Sequence, residues 1–345
     1  MIATLLSLVV AIDPDQAVCR AILDWKTVAV AQFWTGPTKT QTAGNHLLCI
    51  DTKGRVVKKL EPNQSYAAIR VSADHRYVLV AKQRPASQKD SQFITEIPQY
   101  HTDITIYSST EKVYERPSSG FRDGYWQGSA LHYFSSEEVV VSGEGSAWTE
   151  QRIEGSQGVI TKPASLGALI DFRTQEDKNA TLSYPANGVR KIFNLVTQSP
   201  AEVVGLSGTT FFIYVDGLKG GVYQVNTSNG KNQRTTLPNF EWGAWLRASK
   251  SFAYIPLERP LNANYFQVRN WTTGKDRKIT FPGRSMIQLA GFDTKRLLVS
   301  SYAKTGKLRT IFIDIVDSAG KRTPVWKQSW VDAPMISLMN CGDSL

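Results

Sequence analysis

Apolar and polar residues alternate along this chain in short runs, and stretches with helical spacing are scarce. YAAIRV (66–71), YVLVAK (77–82), DITIYS (103–108) and EKVYE (111–115) form one series, punctuated by Ser, Asp and a long polar interval. A period of two over four to eight residues predicts half-buried strands, and punctuation of this kind predicts tight turns between them. The same order returns as GAWLRA, SFAYIP, NYFQVR and RKITFP over 243–282. It returns again as MIQLAG, RLLVSS, RTIFID and PVWKQS over 286–329.

Three marks recur with these strands. A Pro-containing connection follows an outer strand at Pro62, Pro117, Pro185, Pro238, Pro282 and Pro334, at intervals of 55, 68, 53, 44 and 52 residues. Proline suits such places because it lacks a ladder donor and fixes its own φ. A polar turn separates the first two strands (22–27, 72–76, 135–138, 199–202, 248–251, 293–296). A second hairpin turn separates the last two (51–55, 108–112, 173–178, 226–231, 270–275, 316–321), with Gly late in four of the six. Repetition of one module at this length predicts an all-β fold, a β-propeller of about six four-stranded blades, with seven as the alternative. One domain covers 22–345, closed by a C-terminal strand near 335–340 that removes an open sheet edge. Two places resist the scheme. Residues 189–226 hold one strand too many, and 17–23 compete with 335–340 for the inner strand of the closing blade.

The segment Ser72-Ala-Asp74-His-Arg76-Tyr-Val78-Leu-Val80 resembles the S-x-D-G-[KR]-x-hydrophobic turn of TolB-like and YncE-like propellers, with His75 in the Gly position. The architecture resembles that of WD-repeat proteins without their GH…WD signature. The resemblance implies a superfold, which does not fix a function.

Composition narrows the class without naming an activity. The chain has 345 residues, 41% of them hydrophobic and 20% charged, as a chain with a sizeable core requires. The run MIATLLSLVVAI is too short to cross a bilayer but has the length of a signal-peptide core, so 1–21 is either a signal peptide or an extra N-terminal strand. No segment reads as transmembrane. A signal implies a periplasmic or secreted protein; without it the chain is cytoplasmic. Three cysteines exclude a disulfide framework, and none forms a CxxC pair; Cys19 and Cys341, near the two ends, are candidates for a bridge in an oxidising compartment.

No catalytic or metal constellation stands out: His46, His75, His101 and His132 are scattered, GxSxG is absent, and the terminal GDSL lacks the context a nucleophile needs. No cofactor is expected. The charge is more informative. Of a net +10, residues 269–327 supply 13 Lys and Arg against 4 Asp and Glu. Strand topology gathers Lys275, Arg277, Lys278, Lys295, Arg296, Lys321 and Arg322 on one rim and sends Lys304, Lys307 and Arg309 to the opposite face. Such a rim suits an anionic polymer; nucleic acid is disfavoured because no aromatics are interleaved with the cations. The opposite, long-loop face is expected to carry 83–102 and 143–166. It would project Arg122, Asp123, Tyr125, Trp126, Trp148, Phe240, Glu241, Trp242 and Arg284 toward a protein or glycan. The leading expectation is a non-catalytic binding or scaffold module using that face. The alternatives are a hydrolase or lyase with a central-channel site, and an adaptor meeting an anionic partner through the basic rim.

Overall fold

The computed structural model describes residues 13–35, 44–62, 66–85, 100–118, 123–134, 138–145, 147–153, 159–160, 169–171, 179–186, 189–196, 200–207, 210–215, 221–226, 229, 231–257, 263–331 and 334–341. Within them the strands form seven four-stranded antiparallel sheets, a β-propeller with the larger of the two expected blade counts. The blades cover 29–60 with 335–340, then 66–118, 123–153, 159–196, 200–234, 240–280 and 285–330. First strands of successive blades are neighbours: Phe240–Leu246 beside Ser285–Gly291, then Met335–Asn340, Tyr66–Val71 and Asp123–Gln127.

Burial follows position in the blade. The second strand of blade six, Ser251–Pro256, is buried at every residue because a neighbouring blade covers each face. The fourth strand, Asp276–Thr280, buries only Ile279, which joins Phe266, Val268 and Phe281 in the core against blade seven. Such aliphatic and aromatic positions stabilise by roughly 1.5–3 kcal/mol each when fully buried.

The first and last strands are sewn into one sheet. Met335–Asn340 pairs antiparallel with Ala29–Thr35 in the register Ala29↔Asn340 to Trp34↔Met335. Polar groups on the inner strands then tie this blade to its neighbours. Arg70 donates to the carbonyls of Asn340 (3.0 Å) and Gly124 (3.2 Å). Asn340 Nδ2 donates to Gly291 O (3.1 Å), and Gln288 Oε1 accepts from Leu338 N (2.7 Å). Four consecutive blades are thereby stitched near the axis.

Residues 17–23 are not a strand. They belong to a helix, Pro14–Asp24, begun by Asp13, whose carboxylate accepts from Asp15 N at 2.9 Å. Proline in the first turn and an acidic residue beside it are the expected helix-start chemistry. The helix buries Val18, Cys19, Ile22 and Leu23 in one cluster with Val30 and Cys49 of blade one and Val71, Val78 and Val80 of blade two. It is a wedge between two blades. Its polar edge is fixed as well: Asp15, 4% exposed, accepts from Tyr66 Oη (2.7 Å) and Lys82 Nζ (3.0 Å). Residues 1–12 lie outside the described residues. Cleavage at Cys19-Arg20-Ala21 would strip Val18 and Cys19 from this core.

The candidate Cys19–Cys341 bridge is not made; both thiols are free, as is Cys49, and all three are buried. Cys341 sits at a strand end held by Val28 O, with Cys49 as the thiol that acts on it, whereas Cys19 is set by the helix beside Asp15 and Asp13. Burial pushes the Cys49 thiol up to about 12, against the pull of Thr27 and Lys58.

Candidate basic cleft on the turn face

Strand alternation gives the ring two faces. One, the turn face, carries the connections between first and second and between third and fourth strands. The other carries the remaining connections.

On the turn face a single device recurs. Asp51 Oδ1 accepts from the amides of Lys53 and Arg55, both at 2.9 Å. Asp293 Oδ1 accepts from Lys295 and Arg296 at 2.8 Å, and Asp317 Oδ1 from Ala319 and Lys321 at 2.9 Å. Asn229 and Asn270 do the same with neutral amides, to Lys231 N (3.0 Å) and Thr273 N (2.9 Å). Asp and Asn favour such turns because a short polar side chain can replace a backbone acceptor. The electrostatic result is asymmetric: each acid is turned inward on its own loop, while the lysine of that loop faces solvent. Burial alone would raise the Asp51 carboxyl, but the Arg55 amide and guanidinium and the Lys53 amide hold it below its usual range.

The rim residues divide accordingly. Lys275, Lys295 and Lys321 are exposed in turns of blades six and seven, and Arg277 is exposed on the outer strand of blade six. None of the four has a carboxylate partner among the described residues. Arg296 is engaged with Asp293 (2.6 Å) and with Thr52 O (3.0 Å). Lys278 lies 4.0 Å from the Tyr265 ring centroid, and Arg322 4.9 Å from that of Phe281. Arg247 and Lys250, exposed in the first turn of blade six, add to the same surface. They fall outside the basic stretch 269–327 and were legible only as neighbours in the 248–251 turn.

Between blades six and seven this face opens into a cleft of 380 Å3, lined by Ser249, Ser251, Val268, Asn270, Lys275 and Arg277 on one wall and Ser318 and Ala319 on the other. The two blades are also joined on this face by a hydrogen bond from Ala248 N to Thr294 O (2.9 Å). Asp276, also at its edge, is clamped by Arg269 through contacts of 2.9 and 2.7 Å.

The aromatic residues expected on the opposite face are placed otherwise. Tyr125, Trp126 and Phe240 are buried at 3, 5 and 2% exposure. Tyr125 stacks on His132 at 4.8 Å, Trp126 donates to Arg70 O at 3.2 Å, and Phe240 packs on Phe252 at 5.3 Å. Inner-strand aromatics are covered because a blade stands on either side of them. Trp242, partly buried, joins the core between blades six and seven. Trp148 belongs to a hairpin on the turn face, with its indole donating to Gly145 O at 2.9 Å and its ring edge-on to Tyr77 at 5.0 Å. Arg284 pairs with buried Asp314 at 2.7 Å and lies over Phe312 at 3.6 Å. Burial pushes the Asp314 carboxyl up against the pull of Arg284. Arg122 and the side chains of Asp123 and Glu241 lie outside the described residues, as does the connection 86–99. The expected loop 143–166 begins instead as the hairpin of strands Glu138–Glu144 and Ala147–Ile153.

No family model and no curated protein matches this chain by sequence. Solved structures match it in fold. A prolyl endopeptidase aligns with TM-score 0.55 at 13% identity over 93% of this chain and 52% of its own; this chain spans about half that protein's length. The β-propeller domain of the Trilobed protease from Pyrococcus furiosus, which has an open velcro topology, aligns at 0.52 and 12% identity, covering 86% of this chain and 92% of that one. The dihydro-heme d1 dehydrogenase NirN aligns at 0.52 and 12% identity over 92 and 76%. At such identities the likeness carries the architecture and nothing of the chemistry. On sheet topology and on structural likeness alike, this chain has the β-propeller fold.

Proposed function

We propose that this chain is a propeller binding module that engages an anionic macromolecule on the turn face of blades six and seven. The observation that carries the reading is that Lys275, Arg277, Lys295 and Lys321 gather there without carboxylate partners among the described residues, their turns having spent the acids internally. Attraction of this kind is long-ranged and weakens with salt, over a Debye length of about 8 Å at physiological ionic strength. Among the described residues Trp25 is the one exposed large aromatic. Among the described residues no series of exposed aromatics is interleaved with these cations, as a stacking platform for single-stranded nucleic acid would require.

The test is retention on immobilised dextran sulfate. The wild-type chain is expected to bind with a steep salt dependence. Lys275→Ala/Lys295→Ala/Lys321→Ala should lower the slope of log affinity against log salt by about one per lysine removed. An unchanged slope in a variant with native circular dichroism would remove the rim from the reading.

A second reading has its own support. The opposite face exposes Leu257, Leu308, Val331 and Met335, at 42, 45, 53 and 62%. Exposed apolar groups on one face of a ring favour a protein partner there. Under this reading Val331→Asp/Met335→Asp abolishes partner binding and leaves dextran sulfate retention intact; loss of dextran sulfate retention instead would count against separate faces. In either reading, a place outside the cytoplasm rests on the apolar run at 2–12.

A further inference from the structure

We propose that the long hairpin of blade seven, strands Arg296–Thr305 and Leu308–Asp317, seats the face opposite the basic rim on an anionic lipid bilayer. None of the rim residues takes part, so the reading of the turn face and this one stand or fall separately.

The two strands run ten residues each. The corresponding strands of blade six, Ser251–Pro256 and Tyr265–Asn270, have six, and those of blade one, Ala29–Thr35 and Gly44–Ile50, have seven. A surplus of about three to four residues, at about 3.4 Å each, carries the tip about 10–14 Å past the paired strands on either side. Gly306 takes the φ of +61° needed at the first central position of a two-residue turn, which closes on the pair Thr305↔Leu308. Leu308 is thereby fixed at the apex. The base is held by the core: Trp330, opposite Arg309 in the ladder, is buried and stacks on Phe33 of blade one at 5.6 Å.

Alternation sorts the overhang into two sides. Lys304 pairs with Arg309 on the side facing blade one, where the Arg309 guanidinium lies 6.0 Å from the Tyr302 ring centroid. Leu308 shares the other side with Thr310, whose hydroxyl meets Ser329 Oγ at 2.8 Å, and with Val331, one residue past the pair Arg309↔Trp330. Every residue from Lys304 to Arg309 is exposed, and 302–313 holds three cations and no acid. Lys304, Lys307 and Arg309 have no carboxylate partner among the described residues.

The apolar groups of this face are spread over three places. Leu308 tops the hairpin, Val331 and Met335 stand at the connection from blade seven to blade one, and Leu257 opens a connection of blade six. A rigid protein partner needs a matching socket for each, whereas a fluid interface admits separate protruding groups. Lysine and arginine beside a leucine suit that interface, because their aliphatic stems enter with it while their charged heads stay at the phosphates. Interfacial elements bury their apolar side about 5–10 Å into the headgroup boundary, within reach of this overhang. A soluble polyanion meets the cations but leaves Leu308 in water; a neutral bilayer takes the leucine and gives the cations nothing.

Sedimentation of the whole chain with phosphatidylcholine vesicles, with and without phosphatidylserine, tests the proposal. Binding should be firm on the anionic vesicles and weak on the neutral ones. Each cation near such a surface contributes about fivefold, so Lys304→Gln/Lys307→Gln/Arg309→Gln should weaken binding about a hundredfold. Leu308→Ser should weaken it about tenfold. These positions are exposed and the fold does not depend on them, as native circular dichroism of the variants checks. Lys275→Ala/Lys295→Ala/Lys321→Ala should leave vesicle binding unchanged. A fluorophore attached to the Leu308→Cys variant, selective because the three native thiols are buried, should shift to the blue on anionic vesicles and not on dextran sulfate. Absence of vesicle binding would overturn the proposal and return this face to a protein partner. Binding that Leu308→Ser leaves intact and the fluorophore does not register would overturn it too, reducing the hairpin to a polyanion contact. So would loss of vesicle binding in the rim variant in place of the hairpin variants. Retention on dextran sulfate without vesicle binding would sink this proposal alone and leave the turn-face reading standing.

Discussion

Phe33→Ala should destabilise the fold by about 3–5 kcal/mol, the range for removing a fully buried aromatic side chain. Phe33 is 0% exposed on the strand Ala29–Thr35, with its ring 4.7 Å from Trp326 and 5.6 Å from Trp330. Those indoles belong to the outer strand of blade seven, so the contact joins the first and last blades on the side where the ring closes. Leu298, Ile311, Ile313 and Leu338 complete the same cluster. Three aromatics and a ring of aliphatics cannot collapse into the void without moving a blade, which places the cost toward the upper end. Urea denaturation followed by tryptophan fluorescence reads the effect; a loss below about 1 kcal/mol would show that the closing contact is not a stability determinant.

Ile22→Asp is the second large effect. Ile22 is 0% exposed in the helical wedge, inside a cluster of buried hydrophobic residues, and a carboxylate there loses its water. The variant must hold a neutral acid in an apolar site or release the helix, at a cost of several kcal/mol either way. The sign of the pH dependence follows. Burial raises the introduced carboxyl's folded pKa above its unfolded value, so the deficit is smallest at low pH and grows as pH rises through that window. A second readout comes from Cys19, whose buried thiol is pushed well above its usual range. It should resist iodoacetamide in the native protein and react in the variant. A Cys19 that stays protected at neutral pH would mean that the helix remains docked and that the wedge tolerates the charge.

Blades two, six and seven were legible strand by strand because their alternation is regular and their turns carry unambiguous chemistry. Ser72 shows why: its hydroxyl accepts from Tyr77 N (3.0 Å) and donates to Asp74 Oδ1 (2.7 Å), and His75 takes the φ of +55° that Gly usually supplies. Blades three to five depart from the phase that the prolines predict. Pro185 lies within the strand Asn179–Ala186, not in a connection between blades, so the interval Pro117–Pro238 holds three blades instead of two. The surplus strand in 189–226 belongs to that extra blade. The turns expected at 135–138 and 199–202 end inside strands Glu138–Glu144 and Pro200–Ser207.

Asp13-Pro14 announces the helix, but the apolar run at 17–23 also suits a strand. Only the burial of Val18, Cys19, Ile22 and Leu23, a spacing of three and four, decides for a helix. At the candidate site, the basic rim could be read from charge counting and strand parity, since both are local. The cleft could not, because its two walls come from different blades. The aromatics misled for a related reason. A Trp beside a turn looks exposed until neighbouring blades are in place.

The pairing of Ala29–Thr35 with Met335–Asn340 has a consequence for biosynthesis. During translation the first three strands emerge with one ladder edge bare, and their missing partner is separated from them by nearly the whole message. Until that partner leaves the ribosome, the nascent sheet presents unsatisfied amides and carbonyls to any passing strand. Chaperone demand should therefore be concentrated late in synthesis, and premature termination before residue 335 should yield aggregates instead of a smaller folded product.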